Sequence, residues 1–172
     1  MAPSILYTKL HTLAQAHATP RSLDHILSIR APNAVHAWGH NYLVSRNARL
    51  QERMDNAAFK AHLLSTGKYI SASRSVVHSI TVDEHARSAT VHMSYFLSPK
   101  GSEETVENDL VWLLRFTDEE EVPGGVDGVL IKESVEFVDA AASARLGGWI
   151  REVHGELSED VRGGITLKEG KL

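Results

Sequence analysis

The sequence predicts an α+β domain shaped as a cone, and three observations carry that prediction. Helical patterns come first and a run of hairpin-connected strands follows, which segregates the two element types. Two long strands rich in aromatic and β-branched residues, Leu110–Phe116 and Val129–Val138, then lead directly into the Ala-rich stretch Asp139–Leu146, as the closing elements of a cone would. Finally, no Gly-rich loop joins a strand to a helix with the spacing of a dinucleotide or P-loop site, so doubly wound α/β folds are set aside. A cone of this kind encloses a small apolar ligand.

Each element has its own signal. Leu6, Leu10, Leu13 and Ala14 recur at helical spacing, which predicts a helix over 4–18 that Thr19-Pro20 terminates. Ser22 caps a short second helix reaching Ile29, and Ala31-Pro32-Asn33 ends it. Residues 35–44 read as a strand. Residues 47–64 read as one helix with Leu50, Met54, Ala57, Ala61 and Leu64 on a face, stopped at Gly67. A meander follows: strands at 70–82, 88–97, 104–116 and 129–138, with turns at 83–87 and 98–102 and a long connection at 117–128. A helix capped by Asp139 runs to about Val153. Residues 1–154 are expected to form a single domain, and the charged, Gly-rich residues 155–172 an arm or disordered tail.

Composition narrows the function. The chain has 172 residues, 42% of them hydrophobic, enough for one domain with a core. A net charge of -4 with scattered Lys and Arg provides no basic surface, so neither nucleic acid nor an anionic membrane is an expected partner. The chain contains no cysteine, which excludes disulfides, thiol catalysis and cysteine-ligated metal sites. No signal peptide or apolar run of membrane-spanning length is evident, and a cytoplasmic location is the expectation.

Polar residues within apolar rows are the candidates for chemistry. His36-Ala-Trp-Gly-His40 invites a metal reading, but on a strand the two Cα atoms stand about 13 Å apart. No metal is expected there, and His40 and Trp38 are taken as pocket lining. Tyr95 shares a strand face with Val91, Met93 and Leu97 and offers its phenol to a ligand. Asp109, flanked by apolar neighbours, is a candidate acid or base if its face lines a cavity. Trp112 and Phe116 are candidate apolar walls. In the last strand, strict alternation puts Glu133 in the apolar row of Val129, Ile131, Val135 and Phe137, and Glu136 on the other face; a bulge would reverse this. A desolvated carboxylate has a raised pKa and suits proton transfer near neutrality. Arg30, where the second helix enters the sheet, is placed to steady developing oxygen charge.

The segments Arg30-Ala-Pro32, Glu107–Phe116 and Glu136-Phe-Val-Asp-Ala140, in this order of elements, make residues 5–153 resemble the SnoaL-like group of the nuclear-transport-factor-two-like superfamily, which includes scytalone dehydratase and ketosteroid isomerase. Small fungal isomerases and cyclases of polyketide, meroterpenoid and alkaloid pathways are the nearest in pattern. The resemblance implies a curved mixed sheet wrapped by N-terminal helices, closed by a C-terminal helix around a conical pocket, and often a homodimer. It implies a cofactor-independent isomerase, cyclase or dehydratase acting by acid–base catalysis on a small hydrophobic substrate, with Glu136 and Arg30 as the main catalytic groups, Tyr95 and Asp109 assisting, and Glu133 as the second choice of carboxylate and a substrate contact. A non-catalytic ligand-binding or protein-interaction module of the same fold is the alternative. Leu110 stands where such proteins often carry an aromatic residue, and the connection at 119–128 is longer than theirs.

Overall fold

The computed structural model describes residues 2–120 and 122–156. Helices α1 (Ile5–Ala18) and α2 (Leu23–Ser28) precede strand β1 (Arg30–Trp38). Helices α3 (Asn41–Arg46), α4 (Ala48–Gln51) and α5 (Asn56–Gly67) follow. Strands β2 (Ile70–Asp83), β3 (Ser88–Pro99), β4 (Val106–Phe116) and β5 (Ile131–Val138) lead to helix α6 (Ala140–His154). The five strands form one sheet in the order β1-β5-β4-β3-β2. β1 lies parallel to β5, and every other pair is antiparallel, so the sheet is mixed.

Local chemistry sets the helix starts. Ser4, Ser22 and Asp55 each accept a backbone N–H three residues on, and Asp139 Oδ1 accepts those of Ala141 and Ala142. The expected caps at Ser22 and Asp139 are therefore present. Two expectations are corrected. The predicted strand over 35–44 stops at Trp38, because His40 adopts a left-handed conformation (φ 61°) and starts α3. The predicted helix over 47–64 is two helices, broken where Met54 exchanges both backbone hydrogen bonds with His36 of β1. Of the tail, residues 157–172 lie outside the described residues.

The inner face of the sheet forms the main core. Val91 and Met93 of β3 and Leu110, Trp112, Leu114 and Phe116 of β4 pack under Leu10, Leu13 and Ala14 of α1. Met54, Phe59 and Ile26 form a second cluster that reaches Trp38. Leu146 and Ile150 of α6 close one end against Val106 and Leu97. Gly39 is required where β1 leaves the sheet, since a Cβ there would stand 2.4 Å from Phe137 Cδ1. Gly39→Ala should therefore destabilise the fold by about 1–3 kcal/mol, the usual cost of overpacking. A thermal melt reads this directly, and an unchanged Tm would show that Phe137 yields freely.

A bulge in β5 decides which carboxylate is sealed inside. Residues 133–138 keep one register with β4, from Arg115↔Glu133 to Leu110↔Val138, but Phe116 pairs with Ile131. Lys132 is thus an extra residue. It resets the alternation, so that Ile131 is followed on the inner face by Ser134, Glu136 and Val138, all buried. Glu133 is left on the other face, between Arg53 (2.5 Å) and Arg115 (3.5 Å).

Candidate active site

The inner face of β1 and β5 carries a continuous row of polar groups. Asn56 Oδ1 accepts a hydrogen bond from Arg30 Nε at 2.8 Å, and Arg30 Nη1 donates to Ser134 Oγ at 3.0 Å. Ser134 Oγ lies 3.2 Å from His36 Nδ1, and His36 Nε2 lies 3.9 Å from Glu136 Oε2. Because Arg30 can only donate, the serine hydroxyl proton is free to point at Nδ1. With the serine hydroxyl donating to Nδ1, the proton of His36 sits on Nε2, facing Glu136; with Nδ1–H donating to the serine oxygen, Nε2 presents a lone pair there.

These groups are sealed from solvent. Glu136 is 9% exposed, Arg30 3% and His36 0%. Burial pushes the Glu136 carboxyl up to about 8, so it carries its proton at neutral pH. Burial brings Arg30 down to about 10, where it stays charged. The guanidinium rests on the Phe59 ring at 4.5 Å, and its Nη2 is buried without a hydrogen-bond partner among the described residues. A buried cation with an unfilled donor is costly unless a ligand oxygen meets it.

His17 of α1 completes the inner wall and was not foreseen from sequence. It is 1% exposed, meets Trp112 edge-on at 4.5 Å, and both ring nitrogens lack partners among the described residues. Burial first, and the Arg30 charge second, hold its pKa down to about 3, so it is neutral. The signal was present in the helical spacing: His17 sits three residues after Ala14 and four after Leu13, a polar residue in an apolar stripe. Ser134 and His36 were also missed as partners, since only the β1–β5 pairing brings them together.

The sequence candidates divide between the two faces. Glu136, Arg30, Trp38, Trp112, Phe116 and Tyr95 belong to the inner side, with Phe116 fully buried in the core. Burial, with Glu136 nearby, pushes the Tyr95 phenol above its ordinary range, so it remains a neutral donor. Asp109, His40 and Glu133 are not part of this group. The Asp109 side chain is 59% exposed on the outer face, beside His92. The alternation of β4 puts it opposite Asn108 and Leu110, which are buried. His40 is exposed and stacks edge-on against Phe137. Glu133 is held by two arginines outside, for the register reason given above.

The Glu136 environment has a measurable consequence for stability. The carboxyl is near 4.5 in the unfolded chain and about 8 in the folded one. Its contribution to stability is therefore complete below about pH 4.5 and is lost as pH rises through about 8. In Glu136→Gln that dependence vanishes. The Tm of the wild type should fall relative to the variant between about pH 5 and pH 9, and parallel Tm curves would show that the carboxyl is not desolvated.

No family model matches the chain, and no curated protein matches it by sequence. Solved structures do. PrhC from Penicillium brasilianum is 15% identical, with 92% of this chain and 95% of that one covered and a TM-score of 0.68. The BvnE pinacolase from Penicillium brevicompactum is also 15% identical, covering 88% and 99%, with a TM-score of 0.68. A nuclear-transport-factor-two-like protein of unknown function from Burkholderia pseudomallei is 13% identical, covering 84% and 98%, with a TM-score of 0.59. Among the described residues no helix is long and apolar enough to cross a membrane. With its mixed five-stranded sheet, N-terminal helices and closing helix, the chain has the nuclear-transport-factor-two-like cone fold, shared by SnoaL-like proteins.

Proposed function

We propose that this chain is a cofactor-independent isomerase, cyclase or dehydratase acting on a hydrophobic polyketide, terpenoid or alkaloid intermediate, with Glu136 as the general acid. The observation that carries this reading is the sealed Glu136 carboxyl, pushed up to about 8, at the end of the Arg30–Ser134–His36 row. In this mechanism Glu136 gives its proton to a substrate oxygen or alkene carbon. The carboxylate that develops faces the His36 imidazole, whose Nε2 lies 3.9 Å from Glu136 Oε2. Arg30 Nη2 donates to a second substrate oxygen, and the Tyr95 hydroxyl orients it by hydrogen bonding. Trp38 and Trp112 supply apolar walls. One solved structure of this fold, BvnE, is a pinacolase.

The test is to incubate the protein with a panel of such intermediates and follow products of equal mass or of mass reduced by water. Conversion should decline as pH rises through about 8, because the acid then loses its proton. Conversion that instead grows above pH 8 would make Glu136 a base and overturn this direction of proton transfer.

A non-catalytic binding or protein-interaction module is the second reading, and the outer sheet face favours it. A cavity of about 430 Å³ there is lined by Val111, Leu113 and Phe137, together with His40 and Asp109. Leu113 is exposed. A homodimer packed through this same face belongs to this second reading, and sedimentation of the purified chain tests it directly.

A further inference from the structure

A second cluster of polar groups lies on the outer face, away from the Glu136 row, and three strands build it. β2 and β3 pair Val77 with Met93 but Ser79 with His92, so His78 is an extra residue in a bulge. His78 follows the inward-packed Val77 and so faces outward, and the bulge keeps it beside His92, whose ring centroid is 4.7 Å away. Asp109 of β4 pairs with Ser94, two residues beyond His92, and so stands diagonally across from it. His92 Nε2 and Asp109 Oδ1 are 2.7 Å apart.

We propose that His78, His92 and Asp109 bind a divalent transition-metal ion, with Zn²⁺ the best fit. One ligand atom from each residue lies within 4.8 Å of the other two. Zinc holds imidazole nitrogens and carboxylate oxygens at about 2.0–2.2 Å, so bound ligand atoms stand roughly 3.3 Å apart in a tetrahedron. Side-chain rotation alone closes the difference, because His78 and Asp109 are exposed and a cavity of about 390 Å³ opens over the cluster. Water completes the coordination. Two imidazoles and one carboxylate form a borderline donor set that favours zinc over calcium or magnesium.

The supporting shell points the same way. Ser94, 1% exposed, donates to Glu107 Oε1 at 2.8 Å, so its oxygen accepts from His78 Nε2–H at 2.9 Å. That bond selects the tautomer with its lone pair on Nδ1, as a carboxylate-backed zinc histidine requires. His92 and Asp109 already touch, and loss of the shared proton gives the metal both atoms. The ion would staple β2, β3 and β4 from outside, and this inference is independent of the reading of Glu136.

The experiment uses the full-length chain without a histidine tag, stripped by chelation and titrated calorimetrically with Zn²⁺. One equivalent should bind, and Tm should rise with Zn²⁺ concentration. His92→Ala should weaken binding by roughly tenfold or more and abolish the Tm rise. Co²⁺ should give the visible absorption of a four- or five-coordinate site in the wild type alone. His78 is exposed, so His78→Gln keeps the fold and supplies the same comparison if His92→Ala folds poorly. No saturable binding by the wild type, or equal affinity in His78→Gln and the wild type, overturns the proposal.

Discussion

Glu136→Gln should fold normally and lose about 10²–10⁴ of its turnover, the usual contribution of a positioned general acid. The substitution is nearly isosteric, and it replaces a carboxyl that already carries its proton at neutral pH, so no charge is removed from the interior. The amide still occupies the space facing His36, but it has no acidic proton to give. The readout separates chemistry from binding: kcat should fall while KM changes little, because the neutral amide makes the same ground-state contacts. Circular dichroism confirms the fold. Normal turnover by a folded variant would remove Glu136 from the reaction and shift weight to the binding-module reading.

Arg30→Lys should reduce kcat/KM by about 10², the scale of losing one preorganised donor at a charged oxygen. Lysine keeps the charge but cannot reproduce the fork that reaches Asn56, Ser134 and the interior at once. It should also cost stability, at about 1.5–3 kcal/mol for each charge-assisted hydrogen bond left unmade. Arg30→Met goes further, since it removes the charge that helps hold His17 neutral. In that variant the His17 imidazole should titrate at higher pH, a shift that NMR of the ring protons follows. An unmoved His17 resonance together with wild-type kcat/KM would show that Arg30 only fills space.

The parts of this molecule legible in sequence are those governed by local chemistry. Hydroxyl and carboxylate caps, the spacing of Leu10, Leu13 and Ala14, and the alternation of β4 each depend on neighbours within a few residues. They placed α1, α2, the meander and α6 nearly where they stand. Features governed by pairing were not legible. The break between α4 and α5 depends on a bridge from Met54 to His36, eighteen residues away. The row from Arg30 to Glu136 exists only because β1 runs parallel to β5, the strand farthest from it in sequence. His78 and His92 look unrelated along the chain and meet through a bulge. Glu136 was preferred over Glu133 from family resemblance, against simple alternation, and the extra residue Lys132 explains the conflict.

That extra residue also bears on how such chains diverge. Deleting one codon at Lys132 would remove a single lysine and leave the Glu-Phe-Val-Asp segment untouched, yet it would force one end of β5 to exchange its inward and outward side chains. A single-residue indel can therefore turn the Glu136 carboxyl away from the inner face without mutating the glutamate itself. The number of residues between Phe116 and the helix cap at Asp139 therefore decides which way the Glu136 carboxyl points, independently of the residue itself.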